Sequence, residues 1–301
     1  MEYAVIDIGS NTIRLCIYKK EEKGFSRLLN TKATAGLAGY RKDEFMTREG
    51  IDKACEVLTT FKNTLSIIQV KKLFVFATAS LRNIINNKHV IKEIEHNTGF
   101  EIDLISGELE AKLGFLGASK ANNLENGLLM DIGGGSTELV EYKNGEIKSY
   151  TSLALGSLSL YSTFISGLIP NKKEQKLMEE HVNVALKEVS FIKNKNIDTI
   201  LGIGGSIRTI RKMCNKKYSL KDNKLKYEYL YDLINFTREN KKQTIDLMLK
   251  VAPERVHTAI PGMIIANEIA RYVHAKYFIV SNFGLREGYL YYKLKGDAYE
   301  K

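Results

Sequence analysis

Three acidic side chains in this sequence sit where an apolar segment runs into a turn of small residues. The stretch Ala4-Val5-Ile6-Asp7-Ile8-Gly9-Ser10-Asn11-Thr12-Ile13-Arg14-Leu15 is matched by Leu128-Leu129-Met130-Asp131-Ile132-Gly133-Gly134-Gly135-Ser136-Thr137-Glu138-Leu139. Asp7, Asp131 and Glu138 are hard oxygen donors, the kind that hold Mg2+ or Mn2+ against a phosphate. An aspartate beside a turn also commonly hydrogen-bonds its own backbone. The appearance of the same Asp in both halves favours the metal-holding reading.

The turns carry the complementary chemistry. Gly9-Ser10-Asn11-Thr12 and Gly133-Gly134-Gly135-Ser136 offer backbone N–H groups with no Cβ in the way, which suits two loops that grip phosphate oxygens. The plain alternative is a pair of tight hairpin turns. Gly204-Gly205-Ser206 forms a third glycine-rich point at the expected start of a helix, where anions are favoured. Neither GxGxxG nor GxxxxGK[ST] occurs, which argues against a dinucleotide-binding or P-loop enzyme.

These residues need elements to hold them. Each matched stretch reads as a buried strand, a glycine-containing bend and a second strand, hence a hairpin in each of two related halves. Ile51, Ala54, Cys55, Leu58, Phe61, Leu65 and Ile68 recur at helical spacing, and residues 72–77 read as a buried strand. Residues 102–105 form a short strand, and Ser106 caps a helix with Leu109, Leu113 and Leu116 on one face and Glu110 off it. Further on, residues 172–193 are helical in pattern, 199–203 a strand and 204 onward a helix. Pro261 and Gly262 start a helix running to His274, followed by a strand at 277–281 and a helix at 285–294.

The 301 residues suit two domains, taken as 1–122 and 123–280, with 281–301 a C-terminal helix that is a candidate to return to the first. A hydrophobic share of 44% and a charged share of 27% are those of a folded protein, and a net charge of +10 favours acidic partners. Cys16, Cys55 and Cys214 show no ligand spacing and read as buried thiols. No apolar run reaches membrane-spanning length and no basic leader opens the chain, so a cytoplasmic protein without a membrane partner is expected. Nucleic acid is not expected either, because basic residues are not interleaved with aromatic ones.

Read together, Asp7 to Leu15, ATASLRNIINN (77–87), ISGELEAKLGFLG (105–117), DIGGGSTELV (131–140), GIGGS (202–206) and SNFGLREGYL (281–290) resemble the Ppx/GppA phosphatases over nearly the whole chain. The resemblance implies an α/β fold of two ribonuclease-H-like domains, the acetate/sugar kinase, Hsp70 and actin fold, with an interdomain cleft. It is to short forms lacking a C-terminal HD-like domain. It implies Glu110 as the catalytic carboxylate that prepares water, and Asp131 and Glu138 as magnesium ligands with Gly133 in the phosphate loop. Asn11, Arg14, Arg82 and Ser136 fall where the family binds phosphate oxygens. Glu108 and Glu110 lie about 200° apart on a helix, so only one can serve a given water. Departures occur at residues 31–37 and 158–160, where family members often carry phosphate-binding arginines.

The expected activity is release of terminal phosphate from short inorganic polyphosphate, with guanosine pentaphosphate as the alternative substrate. A kinase of the same fold and a non-catalytic sensor of alarmone or polyphosphate are further alternatives. A homodimer is left open.

Overall fold

The structure, a computed structural model, describes residues 1–220 and 224–295. The chain separates into two compact units, Met1–Glu110 joined by the described residues from Tyr289, and Ala111–Gly288.

In the first unit, β1 (Glu2–Ile8), β2 (Thr12–Glu21) and β3 (Gly24–Thr34) form an antiparallel meander. Two-residue strands β4 (Arg41–Lys42) and β5 (Phe45–Met46) pair with each other and lead into helix α1 (Arg48–Ile67). Strand β6 (Lys72–Ala77), helices α2 (Ala79–Arg82) and α3 (Asn87–Thr98) and strand β7 (Asp103–Leu104) follow, and helix α4 (Gly107–Ser119) begins in this unit and passes into the second after Glu110. The sheet order is β3-β2-β1-β6-β7, with β6 and β7 parallel to β1. Strand period two explains the layering: Ala4, Ile6 and Ile8 bury into a cluster with Ile51, Leu58 and Phe61 of α1 and Val90 and Ile94 of α3. Asp7 therefore stands on the opposite face. Thr47 caps α1 by accepting from the Gly50 amide.

The second unit repeats the order. Strands β8 (Asn126–Ile132), β9 (Thr137–Lys143) and β10 (Glu146–Leu153) form a meander, followed by α5 (Ser157–Phe164), α6 (Lys172–Lys187), β11 (Thr199–Ile203) and α7 (Gly204–Tyr218). Beyond them lie β12 (Lys224–Lys226), α8 (Tyr227–Glu239), α9 (Lys241–Val251), α10 (Val256–Tyr272), β13 (Tyr277–Val280) and α11 (Leu285–Lys295). The sheet runs β10-β9-β8-β11-β13-β12, so three antiparallel strands again continue into parallel ones. Two such sheets are the ribonuclease-H-like pair expected from the sequence. Leu128, Met130 and Ile132 bury against α6, α7 and α10, while Leu129 and Val140 bury against Ala111, Phe115 and Ala118 of α4. From Tyr289 on, α11 belongs to the first unit, where the Tyr289 ring lies 4.5 Å from that of Phe76 and its hydroxyl bonds Asp103. Residues 296–301 of the expected C-terminal segment lie outside the described residues.

Two sequence-based helix boundaries and one burial expectation shift. The helix expected over 172–193 ends at Lys187, and residues 190–192 form a separate 3-10 turn. The helix expected to start at Pro261 begins at Val256 and carries the proline inside it. The missing N–H of Pro261 removes one helical bond, a loss offset by complete burial of the surrounding turns. Cys55, expected to be buried, is only half-buried, because it lies at the edge of the α1 stripe. Among the described residues no helix is long and apolar enough to cross a membrane.

Burial pushes the Cys214 thiol up to about 12, so at pH 8 its thiolate fraction is roughly 10⁻⁴. Cys16 is likewise enclosed. Thiol titration of the native chain should modify Cys55 first, with the other two reacting only after denaturant is added. Prompt reaction of all three thiols in the folded state would contradict this packing.

Candidate functional site

The second unit's hairpin places Asp131 directly opposite Glu138 across the β8–β9 pair, so both side chains stand on one face. Glu138 is 1% exposed and accepts a 2.7 Å hydrogen bond from the Ser152 hydroxyl on β10. Two carboxylates facing each other in an antiparallel pair repel unless positive charge lies nearby. The Gly133 amide closes the turn by donating to the Ser136 carbonyl at 2.9 Å. The loop's carbonyls are tied down by the first turn of α5: Ser157 donates to Gly133, and Leu158 and Ser159 donate to Gly134. The amides of Gly134, Gly135 and Ser136 take no part in these backbone bonds; successive N–H groups of such a turn are the kind that hold anions. Gly156 makes this docking possible, since a Cβ there would come within 2.2 Å of the Gly134 oxygen.

The third glycine point is built onto the same carboxylate. Gly204, at φ +80°, begins α7, and a Cβ on it would lie 2.1 Å from Asp131 Oδ1. A Cβ on Gly205 would lie 2.0 Å from the guanidinium of Arg255. Arg255 thus lies over the α7 N-terminus, and Asp131 is among its charged neighbours. Burial, the dominant cause, lowers its pKa from the usual arginine value; Glu254 and Asp131 oppose that and Arg286 adds to it. The Ser206 hydroxyl donates to the Ile132 carbonyl at 2.8 Å, so this residue braces β8 with its only proton.

In the first unit, Asp7 stands opposite Arg14, and the bend between them closes through a 3.1 Å bond from the Gly9 amide to Thr12. Ser10 and Asn11 are 7% and 9% exposed. The carbonyls of both are taken by amides of residues 35–38, and Asn11 Nδ2 is buried with no hydrogen-bond partner. A buried amide donor without a partner costs about 1–3 kcal/mol, a cost that a phosphate oxygen would remove. Arg14 reaches Asn30 Oδ1 at 2.7 Å. Ser106 caps α4 by accepting from the Leu109 amide. One turn in, Glu110 is 8% exposed and accepts from Arg82 Nη1 at 2.9 Å, while Arg82 also holds the Ile105 carbonyl at 3.0 Å. Glu108 is exposed. The two glutamates therefore occupy different environments, as their helical spacing requires.

A sequence profile of the Ppx/GppA phosphatase family matches residues 16–296. The chain belongs to that family. Exopolyphosphatase 1 of Mycobacterium tuberculosis is 24% identical across 99% of this chain and 90% of its own length. A guanosine-5'-triphosphate,3'-diphosphate pyrophosphatase of Pseudoalteromonas translucida is 29% identical over 70% of this chain and 43% of the relative. A bifunctional 3-dehydroquinate synthase/phosphatase of Fusobacterium nucleatum is 27% identical over 92% of this chain, which spans 44% of that longer protein. Among solved structures, an exopolyphosphatase from Cytophaga hutchinsonii superposes with a TM-score of 0.88, at 24% identity over 98% of both chains. A Ppx/GppA member from Aquifex aeolicus superposes at 0.79, with 25% identity over 99% of both.

Arg255 was not found from the sequence. It follows Pro253 in a 3-10 turn, with no motif around it, and reaches Gly205 only because α10 starts there. The one legible hint was the pair of adjacent glycines at 204 and 205, which left room for something large.

The contact at Gly204 is testable. Gly204→Ala should destabilise the fold, because a left-handed backbone costs roughly 1–2 kcal/mol for a residue with a Cβ and the new methyl meets Asp131. Asp131→Ala in the same chain should recover the clash part but not the backbone part. Melting curves of the two single variants and the double variant would show this as a non-additive pair; strict additivity would place Asp131 away from Gly204.

Proposed function

We propose that this Ppx/GppA protein is a phosphoanhydride hydrolase that releases terminal orthophosphate from short inorganic polyphosphate. The observation that carries the reading is the pairing of Asp131 with Glu138 beside three loop amides that take no part in the turn's own backbone bonds, an arrangement suited to a polyanion accompanied by a hard cation.

The donor set fits Mg2+ or Mn2+. Among the described residues no three His, Cys, Asp or Glu side chains converge to make an all-protein cage. Magnesium characteristically binds through one or two carboxylates and completes its shell with water and substrate phosphate. Asp131 and Glu138 would hold the ion, which when bound neutralises charge on the phosphate being transferred. Asp7 faces Arg14, so its carboxylate already has a cation across the strand pair; its proposed share in metal binding is correspondingly smaller. The glycine loops and Asn11 would bind phosphate oxygens, and Arg82 would add charge neutralisation. Glu110 would take the proton of the attacking water. These are the needs of phosphoryl transfer, where positioning and electrostatics supply most of the catalysis.

A second reading, hydrolysis of guanosine pentaphosphate, rests on the Pseudoalteromonas relative and uses the same groups. Phosphate release measured side by side on tripolyphosphate, long polyphosphate, guanosine pentaphosphate and ATP separates the two, and preference for ATP would point to neither.

Two further outcomes follow. Turnover should cease in excess chelator and return with Mg2+ or Mn2+, while Asp131→Asn and Glu138→Gln should raise the metal concentration needed for half-maximal rate; undiminished turnover in chelator removes the metal from the scheme. Glu110→Gln should lower the maximal rate by about 10²- to 10⁴-fold, the usual worth of a general base, with substrate affinity largely kept. Glu108→Gln, altering an exposed side chain, should be nearly silent, and the reverse pattern would transfer the role to Glu108.

A further inference from the structure

The second unit contains a cavity of about 580 Å³ whose wall includes Asn183 of α6, Tyr227 of α8, Glu268, Arg271 and Tyr272 of α10, and His274. This volume is in the range of small-molecule sites. Arg255 and Arg271 lie at opposite ends of α10, 16 residues apart and so about 24 Å along the helix axis. The cavity is therefore not an outer part of the phosphate loops.

Its hydrogen-bonding groups are partly spent, and what remains defines a ligand. Glu268 is 1% exposed, and its two carboxylate oxygens accept from Asn183 Nδ2 at 2.7 Å, Asn267 Nδ2 at 2.7 Å and Arg271 Nη1 at 3.2 Å to each. Asn183 gives its second amide proton to the Glu179 carbonyl at 2.8 Å, so its side chain has only the oxygen left to offer, as an acceptor. The Arg271 side chain is 58% exposed, and Glu268 engages only Nη1, which leaves the adjacent N–H groups of Nε and Nη2 as a two-pronged donor. The pairing with Glu268 balances the guanidinium charge, which makes the cavity a poor site for phosphate or carboxylate. Tyr227 and Tyr272 add aromatic walls. The Tyr227 hydroxyl is fixed on Asn267 Oδ1 at 3.1 Å.

We propose that this cavity binds a 6-oxopurine nucleoside, with the base against the tyrosine rings, its N7 and O6 acceptors toward Arg271, and a ring or exocyclic N–H toward the Asn183 oxygen. A paired donor on arginine matches the N7/O6 edge of guanine, whereas adenine presents an amino donor in place of O6. Stacking on aromatic rings is available to any base, so the hydrogen bonds must supply the selectivity.

Calorimetric titration of the full chain with guanosine, inosine and adenosine, in metal-free and phosphate-free buffer, tests this independently of the hydrolase reading, because none of the three carries a phosphate. Guanosine and inosine should bind saturably at one site and adenosine at least about fivefold more weakly. Arg271→Lys keeps a cation beside Glu268 but loses the paired donor. It should weaken guanosine binding by roughly 5- to 150-fold, the span expected for one bidentate contact, with its circular dichroism spectrum confirming the fold. Tripolyphosphate should not displace guanosine. Absence of saturable guanosine binding at millimolar concentration, equal affinity for adenosine, an unaltered constant in a folded Arg271→Lys chain, or displacement by tripolyphosphate would each overturn the proposal.

Discussion

The second unit's site depends on two acids set opposite each other in one strand pair. The matched stretches that build the two hairpins differ at one telling position: Asp7 faces Arg14 across β1–β2, whereas Asp131 faces Glu138 across β8–β9. An opposite pair in an antiparallel ladder is mildly stabilising and a like pair is not. One copy of the hairpin thus sets a cation opposite its aspartate across the ladder, and the other sets a second acid there. Arg255 supplies positive charge by lying close enough to Asp131 to feel its field. That contact is possible only because residues 204 and 205 have no side chains, so the glycines, the carboxylate and the arginine form one steric solution.

The first unit solves a different electrostatic problem. Glu110 is almost enclosed, and burying a carboxylate without a partner costs several kcal/mol. Arg82 satisfies it at 2.9 Å while anchoring itself on the Ile105 carbonyl, so α2 and the start of α4 are joined through one guanidinium. The guanidinium that holds the Ile105 carbonyl is thereby the one that compensates the enclosed carboxylate.

The hairpins were legible because their signal is local: apolar alternation, an acid and a small-residue turn lie within about twelve consecutive residues. Glu110 was separable from Glu108 for a similar reason, since helical geometry alone sends the two in different directions. Arg255 was not legible, because its partners lie some 50 and 124 positions away in sequence and no local pattern marks it. Ser206 shows what packing adds: its place after two glycines suggested an anion contact, and its hydroxyl also donates to the Ile132 carbonyl, a bond visible only once β8 and α7 are packed. Pro261 misled for a different reason: local rules put proline at a helix start, and tertiary burial overrode them.

Helix α10 connects these observations to the rest of the unit. It is buried on nearly every side from Val256 to Ala270, so its sequence reads as core with almost no polar stripe. Asn267 and Glu268 break that rule near its end. A buried ionised network is seldom the most stable solution, since well-packed apolar residues commonly do as well or better. Here three side chains from two helices saturate one carboxylate, and desolvation together with the neighbouring Glu268 raises the pKa of Glu179 against the pull of Arg238. Such an arrangement makes little sense as a device for stability alone. It fixes the orientation of Asn183 and Arg271, two residues of the cavity wall, and fixing donors and acceptors in advance lowers the ordering cost of any ligand that matches them.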